Sequence, residues 1–141
     1  MPRAEEPPTN SEIRVAVARD ADIVTARQRG RELAMEVGFS SCNATLVATA
    51  ISELARNILL YAREGEIVID AIERSTSRGV LVVALDHGPG ISDLESALQD
   101  GYSTSRRLGL GLPGVRRLMD EFAIDTRPGE GTTVVVKKWN R

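Results

Sequence analysis

The feature that most constrains this chain is a change of hydrophobic period between Val47 and Leu85. Val47, Ala50, Ile51, Leu54, Ile58 and Tyr61 recur at three- and four-residue spacing, which predicts a helix with one apolar face. That helix should end near Gly65. Two short apolar runs follow, Ile67 to Ile72 and Val80 to Leu85, joined by the polar stretch Arg74-Ser75-Thr76-Ser77-Arg78-Gly79. This is the pattern of a β-hairpin. Val80 to Leu85 is apolar throughout, as expected of a central strand.

The same period change occurs on either side. Ile13, Val15 and Val17 alternate with Arg14, Ala16 and Ala18, which predicts a first strand with one buried face. Asp20 and Asp22 are helix-start residues. Ile23, Ala26, Gly30, Leu33, Ala34 and Val37 then keep helical spacing until Gly38 stops it. A short loop from Phe39 to Ser41 leads to the second helix. Beyond Leu85, a Gly/Pro loop runs from His87 to Gly90, and a short helix is expected from Ser92 to about Leu98. Asp100 to Leu112, rich in Gly, Ser and Arg, reads as a mobile lid loop. A helix from Leu112 to Phe122 has Pro113 in its first turn, where proline is tolerated. Ala123 to Arg127 and Thr132 to Lys138 make a last hairpin around Pro128-Gly129-Glu130-Gly131.

The predicted order is β-α-α-β-β-α-α-β-β. An α/β (α+β) two-layer sandwich, a mixed sheet with helices packed on one face, buries all these stripes most simply. The 141 residues, 42% of them apolar, suit one domain over residues 12–141. Such a chain buries roughly two-thirds of its unfolded surface and needs no staple. Residues 1–11, with Pro and Glu prominent, read as a disordered tail without a secretory h-region. No apolar run approaches ~18 residues, so a cytoplasmic protein is expected. One cysteine, Cys42, and one histidine, His87, exclude an internal disulfide and a Cys/His zinc site. Cys42, near a helix start, is expected to be a small helix-facing thiol. The 18 basic residues stand against 20 acidic ones, which gives no argument for a nucleic-acid surface.

Four motifs could carry chemistry. Glu53 and Asn57 lie four apart on the second helix and project from one side, beside the apolar stripe. An amide oxygen suits Mg²⁺, a hard cation, and a carboxylate can take a proton from a hydroxyl. A Glu-x-x-x-Asn pair also describes any polar helix surface. Asp86-His87-Gly88-Pro89-Gly90 follows the central strand. Asp86 could accept a hydrogen bond from an exocyclic amine such as adenine's, with Gly88 and Gly90 admitting a flat ring; the same residues also make a plain turn. His87 reads as a solvated turn residue.

Gly109-Leu110-Gly111-Leu112-Pro113-Gly114 opens a helix, and bare backbone amides there form an anion site. No strand precedes it, so a dinucleotide fingerprint fails, and no Gly-Lys-Ser/Thr makes a Walker loop. A lid closing on phosphates remains, with Arg106 and Arg107 either neutralising charge or simply solvated. Gly129-Glu130-Gly131-Thr132-Thr133 alone would be only a hairpin turn.

Taken in order, these elements resemble the GHKL ATPases, which include histidine kinases, gyrase-type ATPases, Hsp90, MutL and anti-sigma kinases. Glu53-x-x-x-Asn57 is similar to their N box. Asp86-x-Gly88-x-Gly90 and Gly109-x-Gly111-x-x-Gly114 resemble their glycine boxes, and Gly131-Thr132 their final Gly-Thr. The resemblance spans roughly residues 12 to 138 and implies a GHKL (Bergerat) fold. Ile51 to Ile58 (ISELARNI), Asp100 to Ser105 (DGYSTS) and Gly111 to Phe122 (GLPGVRRLMDEF) more closely resemble RsbT-type switch kinases of the bacterial stressosome. Leu112-Pro113-Gly114 separates them from RsbW-type anti-sigma kinases, which bind a sigma factor and phosphorylate an anti-anti-sigma factor.

The resemblance implies ATP and Mg²⁺ as cofactors and Glu53 as the group that orients or deprotonates a substrate hydroxyl. It assigns Mg²⁺ to Asn57. Nucleotide contacts are implied for Asn57, Asp86, Gly88, Gly90, Ser103, Thr104, Arg106, Gly109, Leu110, Gly111, Leu112, Gly114 and Thr132. It further implies STAS-domain partners of the RsbS and RsbR kind, phosphorylated on serine or threonine. A PP2C-type, RsbU-like phosphatase would be activated on release. Two departures bear on lid mobility and nucleotide affinity: Arg106-Arg107 stand where relatives carry glycines, and His87 where a polar amide is usual.

Overall fold

Strand β1, Ile13–Val17, delivers the chain to a helix start built by Asp22. Its Oδ2 accepts the backbone N–H groups of Ala18 at 2.9 Å and Arg19 at 3.0 Å. The Ala18 bond leads in holding this carboxyl below its ordinary value. The computed structural model describes residues 12–91 and 111–140. The expected tail over residues 1–11, the short helix from Ser92 and the lid up to residue 110 lie outside them.

Helix α1 spans Asp20–Val37 and α2 spans Ser41–Tyr61. Ser40 caps α2, its hydroxyl accepting the Asn43 N–H at 3.1 Å. The two helices pack closely because Gly30 lies where a Cβ would overlap the Ile51 side chain. Arg31 fastens the pair, donating to Ser41 Oγ at 2.7 Å and Thr45 Oγ1 at 3.3 Å. Cys42 is exposed rather than helix-facing, on the side of the first turn of α2 turned to solvent.

Strands β2 (Gly65–Arg74), β3 (Ser77–Asp86), β4 (Glu121–Arg127) and β5 (Gly131–Asn140) complete a five-stranded sheet in the order β1-β2-β3-β5-β4. β3 is central, as its apolar run predicts. All four pairings are antiparallel, where a mixed sheet was expected. Two helices, not one, join β1 to β2, so the chain crosses the helical layer twice and re-enters the sheet at the end it left.

Val15, Val17, Ile67, Ile69, Val80, Val82, Val134 and Val136 are buried on one face beneath Ile23, Ala26, Leu33, Ile51, Leu54 and Ile58 of the helices. The opposite face leaves Val68, Leu81, Val83 and Val135 half-buried. Trp139 covers its far end, stacking under Arg74 at 4.5 Å and donating its indole N–H to Glu121 Oε2 at 2.7 Å. That bond, with the Arg74 guanidinium, holds the Glu121 carboxyl below the usual range. Among the described residues, no helix is long and apolar enough to cross a membrane.

Two boundaries differ from the periodicity. The β2–β3 ladder runs to Arg74↔Ser77, so the six-residue link contracts to a turn on Ser75 and Thr76. Cross-strand bonds extend the strands through polar residues that hydropathy alone reads as loop. Helix α3 spans Gly111–Leu118 and stops four residues before Phe122. The sheet captures the chain there. The Asp120 N–H donates to Lys137 O at 2.9 Å, and Lys138 Nζ caps the Leu118 carbonyl at 2.8 Å. Glu121 and Phe122 therefore begin β4.

Candidate active site

The ends of β2, β3 and β5 converge on Asp86, which pairs with Gly65 on one side and Thr132 on the other. Asp86 continues the alternation of Val80, Val82 and Ala84, so it points to the helical side of the sheet. Its Oδ1 accepts the Gly88 N–H at 2.9 Å. Among the described residues Oδ2 has no donor, and one carboxylate oxygen is left for an incoming amine.

The loop after Asp86 is held from both sides. A Cβ at Gly88 would sit 2.8 Å from Ala62 Cα, so only glycine lets the loop lie against the end of α2. Gly90 has φ +78°, and Gly129 donates its N–H to Pro89 O at 2.8 Å. The Ile91 N–H donates to Thr126 Oγ1 at 2.8 Å, which in turn lies 2.8 Å from Thr132 Oγ1. Gly131 closes the arrangement at φ +126°, with the position of a Cβ occupied by the Asp86 carbonyl and His87 Cα only 2.8 Å away. Gly131→Ala therefore meets backbone strain of about 1–3 kcal/mol and a backbone clash besides. It is expected to destabilise the fold by about 3 kcal/mol or more and lower the melting temperature visibly. A melting curve superimposable on that of the parent chain would refute this account of the turn.

α2 brings Glu53 and Asn57 to the same end of the molecule, both partly buried and one turn apart. The Glu53 carboxylate is the meeting point of two elements. Oε2 accepts Arg56 Nη1 at 2.8 Å, and Oε1 accepts the Gly111 N–H at 3.4 Å. Gly111 is the first residue of α3, so the acid lies against a helix N-terminus. Leu112, Pro113, Gly114 and Val115 are buried against α2. The Leu112 side chain is in the core, so its expected nucleotide contact is limited to backbone.

The predicted residues Asn57, Glu53, Gly111 and Gly114 are thus assembled where α2 meets α3. Asp86, Gly88, Gly90 and Thr132 are assembled at the adjoining sheet end. His87 is exposed, as a turn residue. Ser103, Thr104, Arg106, Arg107, Gly109 and Leu110 lie outside the described residues. Sequence reasoning missed Arg56, Gly65 and Thr126. Arg56 had a signal, its position three residues after Glu53 on a helix. Gly65 was read only as a helix stop, yet a Cβ there would lie 3.2 Å from Asp86 Cβ. Thr126 carried none.

No group of three or more His, Cys, Asp or Glu among the described residues could hold a metal ion. An Mg²⁺ at this site would take an oxygen from the Asn57 amide and the rest from phosphates and water, the ligand set this ion prefers. The donor present fits the ion.

Residues 16–138 match the family model for a histidine kinase-like ATPase domain. The chain is 48% identical over 132 residues to the serine/threonine-protein kinase RsbT of Bacillus subtilis (strain 168), covering 94% of this chain and 99% of that one. It is 32% identical over 97 residues to the anti-sigma F factor of Thermoanaerobacter sp. (strain X514), covering 66% and 68% of the two. Its fold is similar to that of the mycobacterial sensor histidine kinase MprB, with a TM-score of 0.54 at 16% identity over 92% of this chain and 98% of that chain.

Proposed function

This chain belongs to the histidine kinase-like ATPase family, and we propose that it is an ATP-dependent protein serine/threonine kinase. The observation that carries the reading is the Glu53 carboxylate, set between α2 and the N-terminus of α3, one helical turn from Asn57. The 48% identity to RsbT over nearly the whole chain supports the same activity. The acceptors we propose are serine or threonine residues of STAS-domain proteins, with a PP2C-type phosphatase as the partner engaged on release. A second reading, an anti-sigma factor, is favoured by the 32% identity to the anti-sigma F factor. That match covers only 66% of the chain, and Leu112-Pro113-Gly114 favours the RsbT type.

In this reading ATP lies between α2 and α3, its adenine amine donating to Asp86 Oδ2. The amides of Leu112 and Gly114 and the positive end of the α3 dipole stabilise phosphate charge; the Gly111 N–H is given to Glu53 and Pro113 has none to offer. The Asn57 amide oxygen would hold Mg²⁺, which would supply charge neutralisation to the phosphates. Glu53 orients the acceptor hydroxyl and takes its proton as the hydroxyl oxygen bonds to the γ-phosphorus. The bond from that phosphorus to the bridging oxygen breaks, and ADP leaves. Such transfer relies mainly on positioning and charge, so few residues are needed.

Incubation of the chain with Mg-ATP and a purified STAS-domain protein, read by mass spectrometry, is expected to add one phosphate mass to a serine or threonine peptide. Absence of transfer, with capture of a sigma factor in a parallel pull-down, would turn the assignment to the anti-sigma reading.

A further inference from the structure

We infer that Arg56 is a positioning residue that fixes which oxygen of Glu53 receives the proton. The inference rests on the proposed role of Glu53 as base. Arg56 Nη1 reaches Glu53 Oε2 at 2.8 Å, the length of a charge-assisted bond, whereas Gly111 reaches Oε1 at 3.4 Å, a long and weak one. The two oxygens are therefore inequivalent. One is committed to a strong donor on its own helix. The other is held loosely by an amide at the mouth of the site, where substrate would arrive.

Arg56 does not behave as an ordinary surface partner. Exposed pairs at this spacing contribute little because both side chains move freely in water. Here the side chain of Glu53 is 12% exposed and that of Arg56 is 29% exposed, so the pair is largely shielded. A glutamate carboxylate has a broad, two-fold terminal torsion. Without the guanidinium, nothing on α2 defines its plane. With it, Oε1 is turned toward Gly111 and the N-terminus of α3, where the phosphates are proposed to lie. Among the described residues the partner of Arg56 is Glu53, and neither Asn57 nor Asp86 is bonded to it, so its effect is expected on turnover rather than nucleotide binding.

The test uses the full chain and measures ADP formation from Mg-ATP in the presence of a STAS-domain acceptor. R56M is expected to lower kcat about 10- to 100-fold, the range in which misplacing a catalytic group acts, with KM for ATP within about twofold. R56K, which keeps a cation and a donor of similar reach, should recover part of the loss, and its melting temperature separates that effect from folding. E53Q is run beside them. If E53Q is inactive while R56M turns over like the parent, or if R56M raises KM with kcat intact, the positioning role is overturned. If R56M does not fold, R56K decides: a kcat between those of the parent and E53Q in a folded chain, with KM for ATP within about twofold, supports the role, and parental kcat or a raised KM overturns it. Full activity in E53Q, or no ADP from the parent chain, overturns the base assignment, and this inference falls with it.

Discussion

Asn57→Ala is expected to abolish Mg-ATP binding and phosphoryl transfer together while leaving the fold intact. Asn57 sits on α2 one turn beyond Glu53, partly buried at the edge of the apolar stripe. Alanine is a better helix former than asparagine, by up to about 0.7 kcal/mol, so α2 gains rather than loses local stability. What disappears is the amide oxygen that we assign to Mg²⁺. In the parent chain, Mg-ATP at about 100 times its dissociation constant should stabilise the fold by about 2.7 kcal/mol. In the variant that thermal shift should vanish, and calorimetry should show affinity weakened about 100-fold or more. A parental heat of binding in the variant would remove Asn57 from the site.

The elements that periodicity reveals are those whose shape is decided by one face. β1, α1 and α2 each bury a single stripe, Val15 and Val17, Ile23 to Val37, Val47 to Ile58, and their positions follow from spacing. Where cross-strand bonds decide, hydropathy is silent. Arg74 and Ser77 are polar, so they read as loop, yet ladder bonds carry both strands to a two-residue turn. Phe122 keeps the period of α3, yet the bonds of Asp120 and Lys138 end that helix at Leu118. The antiparallel sense of the sheet is likewise a property of chain crossings and not of any strand's composition.

The site divides along the same line. Glu53, Asn57 and Asp86 were legible because each has a fixed spacing within one element and because the ordered motifs resemble a known family. The supports around them were not. Gly65 and Thr126 matter through what lies opposite them in space: a neighbouring carboxylate and a loop amide. These partners come from strands far apart in sequence. A threonine in a strand or a glycine after a helix gives no hint of them. Arg56 falls between the two cases, legible as a helix pair with Glu53, while the shielding that gives the pair significance appears only once α3 is in place.

Glu53→Gln should separate chemistry from binding. Glutamine has nearly the same size and helix propensity as glutamate, so α2 and its packing against α3 are retained. Its amide can still accept from Arg56 through one oxygen. The nitrogen then faces the Gly111 N–H, donor against donor, and offers no lone pair to an acceptor hydroxyl. General-base assistance contributes about 10²–10⁴-fold to rate, so transfer should fall by that factor, about 3–5 kcal/mol of barrier. ATP affinity should stay within a few-fold, because Asn57, Asp86 and the amides of Leu112 and Gly114 are untouched. This outcome is the reverse of that for Asn57→Ala, where binding itself is lost. Undiminished transfer by the glutamine variant would mean that the acceptor hydroxyl is activated elsewhere, and that the shielded pair of Glu53 and Arg56 serves only to join α2 to α3.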